Sequence, residues 1–201
     1  MIGTYVCQGV ERRYEFPDKK LSAIDRVVRE LVAFASDIAP SLGNAVVGPT
    51  PYTRSELRER ILDLQEAATA GAANGEIETC DLDTALPVRH IFAPGAYARE
   101  MSLPAGYWAI GKIHKHAHLS FITKGRIAVL TEDGPVVYTA PYTFVSTPLT
   151  KRVVLSLEDT IWTTVHITDE TNLEKIEEYA IAKSYSDAEQ IEVTNTGRIA
   201  L

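Results

Sequence analysis

Residues 112–131 read KIHKHAHLSFITKGRIAVLT, and this stretch decides the fold. Two β-rich runs, 112–122 and 126–131, flank the turn signal Thr123-Lys124-Gly125. Further short runs follow: VVYTA, YTFVS, RVVLSL and TIWTTVHI. They are separated by Asp133-Gly134, Pro141, Thr147-Pro148 and Glu158-Asp159. Upstream, Tyr97, Arg99, Met101 and Leu103 alternate with Ala98, Glu100 and Ser102, the two-residue period of a strand. Many short strands at this spacing specify a sandwich or barrel rather than a βαβ fold. About eight of them between residues 85 and 168 is a jelly-roll number.

The flanks read differently. Leu21, Ile24, Val27, Val28, Leu31, Val32 and Ile38 recur at three- and four-residue spacings and predict one helix, stopped by Pro40. Residues 41–53, SLGNAVVGPTPYT, read as a loop punctuated by Gly43, Gly48, Pro49 and Pro51. Thr53 and Glu56 have the form of a capping box, and Leu57, Ile61, Leu64 and Ala68 form a second apolar stripe behind it. Beyond the β-rich region, Thr171 and Glu174 suggest another capping box, with Leu173, Ile176 and Ala180 on one helical face. The expected organisation is a helical oligomerisation or attachment segment at 1–84, a β-barrel with a C-terminal helix at 85–182, and a peripheral arm at 183–201. The barrel is expected to fold on its own.

Composition narrows the function classes. The chain has 201 residues, 45% hydrophobic and 23% charged, which suits a domain with a real core. Its formal net charge is -7, and its closest approach to a basic cluster is Lys151-Arg152, read as an exposed loop. That balance argues against nucleic acid as a partner, because phosphate contacts need clustered Lys and Arg. No run reaches the length of a membrane span and no secretory signal opens the chain, so a cytoplasmic protein without a membrane partner is expected. Cys7 and Cys80 are read as two reduced thiols.

Three of the five histidines fall in one pentapeptide, His114-Lys-His116-Ala-His118. On a strand all three would project from one face, with neighbours about 6.6 Å apart at Cα. His114 and His118 would then be about 13 Å apart, too far to share an ion unless a bulge intervened. Three readings stay open. His114, His116 and His118 bind a divalent transition metal with His166 from across the barrel; or they form a hydrogen-bonded polar lining without an ion; or they meet another subunit. Glu132 and Asp133 are read as hairpin-turn residues and His90 as a surface or packing residue. Trp108 and Trp162 are read as core or interface anchors.

The β-rich region resembles the cupin family, whose first motif runs from a His-x-His pair through a glutamate to a glycine. Anchoring that glycine on Gly125 puts His118 at the glutamate position, His114 at the second histidine and Lys112 at the first. In the second motif, Pro148-Leu149-Thr150 stands where a Pro-x-Gly is usual, and the histidine position falls on Val153. The runs HIFAPGAYARE, GKIHKHAHLSFITKGRIAVLTEDG, APYTFVS, TKR and EDTIWTTVHITDETNLEKIEE, about residues 89–178, are more closely similar to small cupin-like proteins of tailed bacteriophages.

The resemblance implies a mainly β protein with a cupin-type double-stranded β-helix (jelly-roll) barrel, and no established substrate. Because the second motif lacks its histidine, the favoured reading is non-enzymatic. It is a bacteriophage virion structural or assembly component that docks onto other phage proteins, made in the host cytoplasm and active as a homo-oligomer. The alternative is a metal-dependent cupin enzyme, a dioxygenase, isomerase or epimerase, acting on a small molecule. The cofactor is accordingly none, or one divalent transition metal at His114, His116, His118 and His166. The half-polar strand of the histidines carries Ala117, Leu119 and Phe121 on its other face, and covering both faces motivates the oligomer.

Overall fold

The elements follow in the order β1 (Ile2–Cys7), β2 (Val10–Glu15), β3 (Ala45–Val47), α1 (Arg54–Ala73), β4 (Val88–Ala93), β5 (Ala96–Leu103), β6 (Trp108–Ile110) and β7 (Ile113–His114). Then come β8 (His118–Lys124), β9 (Arg126–Thr131), β10 (Gly134–Thr139), β11 (Tyr142–Ser146), β12 (Val153–Ser156), β13 (Thr160–Ile167), α2 (Leu173–Ala180) and β14 (Ile181–Ala182). They belong to a computed structural model that describes residues 2–7, 10–15, 33, 45–74 and 88–187. The helix read at Leu21–Ile38, residue 33 apart, and the arm beyond residue 187 lie outside the described residues.

Two five-stranded antiparallel sheets form the barrel. One has the order β3-β10-β9-β12-β6, and the other, which carries two of the site histidines, has the order β11-β8-β13-β5-β4. Between them Ile127, Val129 and Val136 of the first sheet pack against Ile122, Trp162 and Leu103 of the second. The two facing sheets make the jelly-roll barrel that the strand pattern predicts, and the described chain is mainly β. Helix α1 covers the outer face of the first sheet, where Leu57, Ile61 and Leu64 close on Ala128, Leu130, Val137, Val153 and Leu155. Strand β9 is therefore buried on both faces, which explains its unbroken apolar run IAVL. Each fully buried Leu or Ile contributes about 1.5–3 kcal/mol by leaving water.

The local signals around α1 are realised as expected. Thr53 accepts from the Glu56 backbone while the Glu56 carboxylate accepts from the Thr53 N–H at 2.7 Å. Gly125 takes φ 80, and a Cβ there would lie 2.3 Å from the Asp159 carbonyl oxygen. Glycine is thus required at the position that anchors the motif.

Several expectations are corrected. The 1–84 segment is not purely helical: β1 and β2 pair along their full length, and β3, read as loop, joins the barrel through Val47, Val46 and Ala45 opposite β10. The barrel at 85–182 also shares its core with α1, because the outer face of its first sheet is apolar and must be covered. Helix α2 is capped by Asn172 rather than Thr171, since the Asn172 side chain accepts from Lys175 N at 3.1 Å. Leu173 is exposed while Ile176 and Ala180 are buried. The arm assigned to 183–201 is held to its own barrel at its start, where Tyr185 packs with Ile113, Leu149 and Ala182. Lys151-Arg152 is not an exposed loop. Lys151 is buried and its Nζ donates to the Gly111 carbonyl at 2.9 Å, while the Arg152 carbonyl accepts from Gly111 N at 2.7 Å.

Candidate metal centre

The histidine pentapeptide does not run as one strand. Residues 115 and 116 bend, and β7 leaves the sheets to pair with β14, His114 opposite Ile181. The Lys115 N–H donates to the Ala180 carbonyl at 2.8 Å and Lys115 Nζ to that of Glu178 at 2.6 Å. Both bonds reach the C-terminal segment, so the bend is fixed by a partner distant in sequence. It removes the separation that an extended strand would impose on His114 and His118, whose ring centroids lie 4.3 Å apart.

His166 completes the cluster from β13, a strand whose inward residues are Thr160, Trp162, Thr164 and His166. Its ring lies 4.7 Å from that of His118 and 5.6 Å from that of His114. One ligand nitrogen from each of the three rings lies within 4.8 Å of the others. His116 is not brought into this group. Its ring stacks on Tyr179 of α2, centroids 4.5 Å apart. At the other motif positions, Lys112 is exposed and forms an ion pair with Glu177, and Val153 faces α1.

The nitrogens of the trio are differently engaged. His118 Nδ1 meets the His116 carbonyl at 3.3 Å, and a carbonyl only accepts, so that nitrogen carries the hydrogen and leaves Nε2 with its lone pair. His114 Nδ1 is buried without any hydrogen-bond partner. Burial, the leading cause for each, depresses the proton affinity of all three imidazoles: His118 to about 4, His114 well below the ordinary range, and His166 downward. All three are therefore neutral near pH 7, the form that binds a metal ion.

The surroundings are polar. Ser120 and Ser146, beside His118 on β8 and β11, share a hydrogen bond of 2.8 Å. Tyr97 stacks on His166 with centroids 6.1 Å apart, and its hydroxyl meets His90 Nδ1 at 2.7 Å. His90 is thus a packing residue, and Trp162 is a buried core anchor at 5% exposure, both as expected. Three residues were missed in sequence. Arg152 lowers the proton affinity of His114 and His118 by its charge, and Arg99 acts similarly on His114 and His166. Glu132 does lie in the turn expected of it, but it is 1% exposed and accepts from Lys151 N at 3.0 Å and from the Tyr185 hydroxyl. For Arg152 a signal was available: in RVVLSL it alternates with Val154, an inward position.

No family model matches the chain, and no curated protein matches it. Solved structures do. Ectoine synthase from P. lautus is similar at 14% identity over 53% of this chain and 78% of that one, with a TM-score of 0.41. KdgF from Halomonas sp. is similar at 17% identity over 46% and 88%, with a TM-score of 0.37. An RmlC-like cupin family protein with a double-stranded β-helix fold from Methanocaldococcus jannaschii is similar at 16% identity over 45% and 86%, with a TM-score of 0.36. These likenesses are confined to about half of this chain.

Proposed function

We propose that the protein is a metal-dependent cupin whose barrel holds one divalent transition-metal ion on His114, His118 and His166 and offers it to a small molecule. The observation that carries this reading is the convergence of three neutral imidazoles, from β7, β8 and β13, to within 4.8 Å in the barrel interior. The orphaned His114 Nδ1 fits the same account, because a buried ring nitrogen that has lost water gains a partner only if something binds it. Three nitrogen ligands suit zinc, iron, nickel or copper. Such an ion, when bound, keeps coordination positions open and supplies Lewis acidity to an oxygen of the bound molecule. The chain's own groups orient the ligands: the His116 carbonyl fixes the His118 tautomer, and β14 holds His114 in place.

Elemental analysis of the purified protein, alongside its native mass, tests the reading. About one equivalent of a transition metal per chain, lost when His118 is replaced, is the expected result. Metal at background after reconstitution with zinc or iron would end it.

A docking role in a bacteriophage particle is the second reading, and one feature favours it. Val145, Leu119, Val165, Ala98 and Ile91 are ladder neighbours across all five strands of the histidine-bearing sheet. Val145, Leu119 and Ile91 are exposed on its outer face. A continuous apolar row of this kind marks association surfaces. A homo-oligomer, with the row covered by a second copy, is compatible with either reading.

A further inference from the structure

We infer that Arg152 is the anchor of an anion subsite in the barrel interior, which receives the carboxylate of a small acidic molecule beside the three histidines. This rests on the metal reading for its purpose and on separate observations for its existence. Val153 and Leu155 of β12 pack toward α1, whereas Val154 packs between the sheets. Arg152 precedes them with its backbone bonded to Gly111, so the same alternation turns its side chain inward. Its charge is felt by His114, His118 and Tyr138, groups that line the interior from three different strands.

Among the described residues Arg152 forms no side-chain hydrogen bond or ion pair. The two acids whose charge reaches it are Glu132 and Asp133. Glu132 accepts from Lys151 N and from Tyr185, both through Oε1, and its buried Oε2 has no hydrogen-bond partner, while Asp133 is paired with Arg54. Among the described residues the histidine cluster contains no carboxylate. Arg99 adds a second positive charge to the field at His114 and His166. A dication on three neutral imidazoles, added to the Arg152 charge, would exceed what the single buried Glu132 carboxylate offsets, a costly state in a low dielectric. An entering anion offsets it. A guanidinium matches a carboxylate through two parallel N–H···O bonds, which favours a carboxylic acid over a neutral substrate.

Calorimetric titration of malonate, inorganic phosphate and malonamide into the full-length protein, metal-free and zinc-loaded, tests the inference. Malonate is expected to bind both forms and malonamide neither. Arg152→Gln should weaken malonate by about tenfold or more, the loss of one charge-assisted pair, without changing zinc stoichiometry. Arg152→Lys, which keeps the charge but not the fork, should fall between, and it decides the matter should Arg152→Gln not fold. Equal malonate affinity in wild type and variant, or phosphate binding without malonate, would overturn the subsite. Failure to take up zinc, with malonate still lost in Arg152→Gln, would end the metal reading and leave the subsite standing.

Discussion

His118 and His166 face one another from adjacent strands, ring centroids 4.7 Å apart, because the residues next to them, Leu119 and Val165, are ladder partners. The sheet itself therefore sets their separation. His114 is different, since it reaches the same point from β7, outside both sheets.

That difference gives a ranking of histidine variants. His118→Ala and His166→Ala should each weaken zinc binding by at least about 100-fold, the upper end of what even an outer supporting residue contributes. His116→Ala should leave zinc affinity within a few-fold of wild type, because its ring is on Tyr179. Competition titration with a chromophoric chelator reads all of them. A loss at His116 equal to that at His118 would contradict the assignment.

The metal-free protein should lose stability as pH falls. All three imidazoles have lowered proton affinity in the folded state, His118 to about 4, while unfolded histidine titrates near about 6.5. Above that pH both states are neutral and there is no effect. Below it the unfolded chain binds protons that the native state refuses, so stability declines from about pH 6.5 down to about 4. Urea midpoints at pH 7.0, 6.0 and 5.0 should fall in that order. His118→Gln should flatten the decline, and an unaltered slope would exclude these rings as its source.

Helix α1 should behave as part of the barrel. Ile61 and Leu64 are fully buried against β9, β10 and β12, so Ile61→Ala and Leu64→Ala should each cost about 2–5 kcal/mol in denaturant unfolding. A chain beginning at Asp81 should accordingly melt well below the full-length protein or aggregate. Unchanged melting would restore the independent barrel expected from sequence.

The C-terminal segment should report on the site. The Tyr185 hydroxyl donates to buried Glu132, and Arg58 lies 4.0 Å over the Tyr185 ring. Tyr185→Phe leaves a buried carboxylate short of a donor and should cost about 1–3 kcal/mol. Zinc affinity should fall with it, because the same segment holds β7 through β14. Thermal melting and zinc titration on one sample measure both effects.

Self-association should depend on the outer row of the histidine-bearing sheet. Sedimentation equilibrium is expected to show a homo-oligomer, and Leu119→Lys with Val145→Lys should shift it toward monomer. Both positions are exposed, at 44% and 61%, so folding should survive. Wild-type protein that is already monomeric at micromolar concentration would remove the row as an interface.

The parts of this fold readable in sequence are those governed by neighbours along the chain. The stripe Leu57, Ile61, Leu64 and its Thr53–Glu56 box depend on spacings of three and four, and the alternation of β5 and β13 on spacings of two. What escaped was decided by distant partners. Nothing near His116 announces that the Lys115 N–H will bond Ala180. Nothing near Glu132 announces Tyr185. Arg152 was misread because two adjacent cations resemble a solvated loop until the bond from Gly111 N places them on a ladder. The candidate centre was half legible: its residue types were visible, and the bend that unites two of them and expels the third was not.

The pairing of β7 with β14 has a consequence for the order of events during synthesis. A ribosome delivers β8 and β13 before residues 181 and 182, so a nascent chain can align His118 with His166 while His114 still lacks its strand partner. Two imidazoles hold a divalent ion far less firmly than three. Under the proposed metal reading, tight capture would wait until β14 has paired with β7.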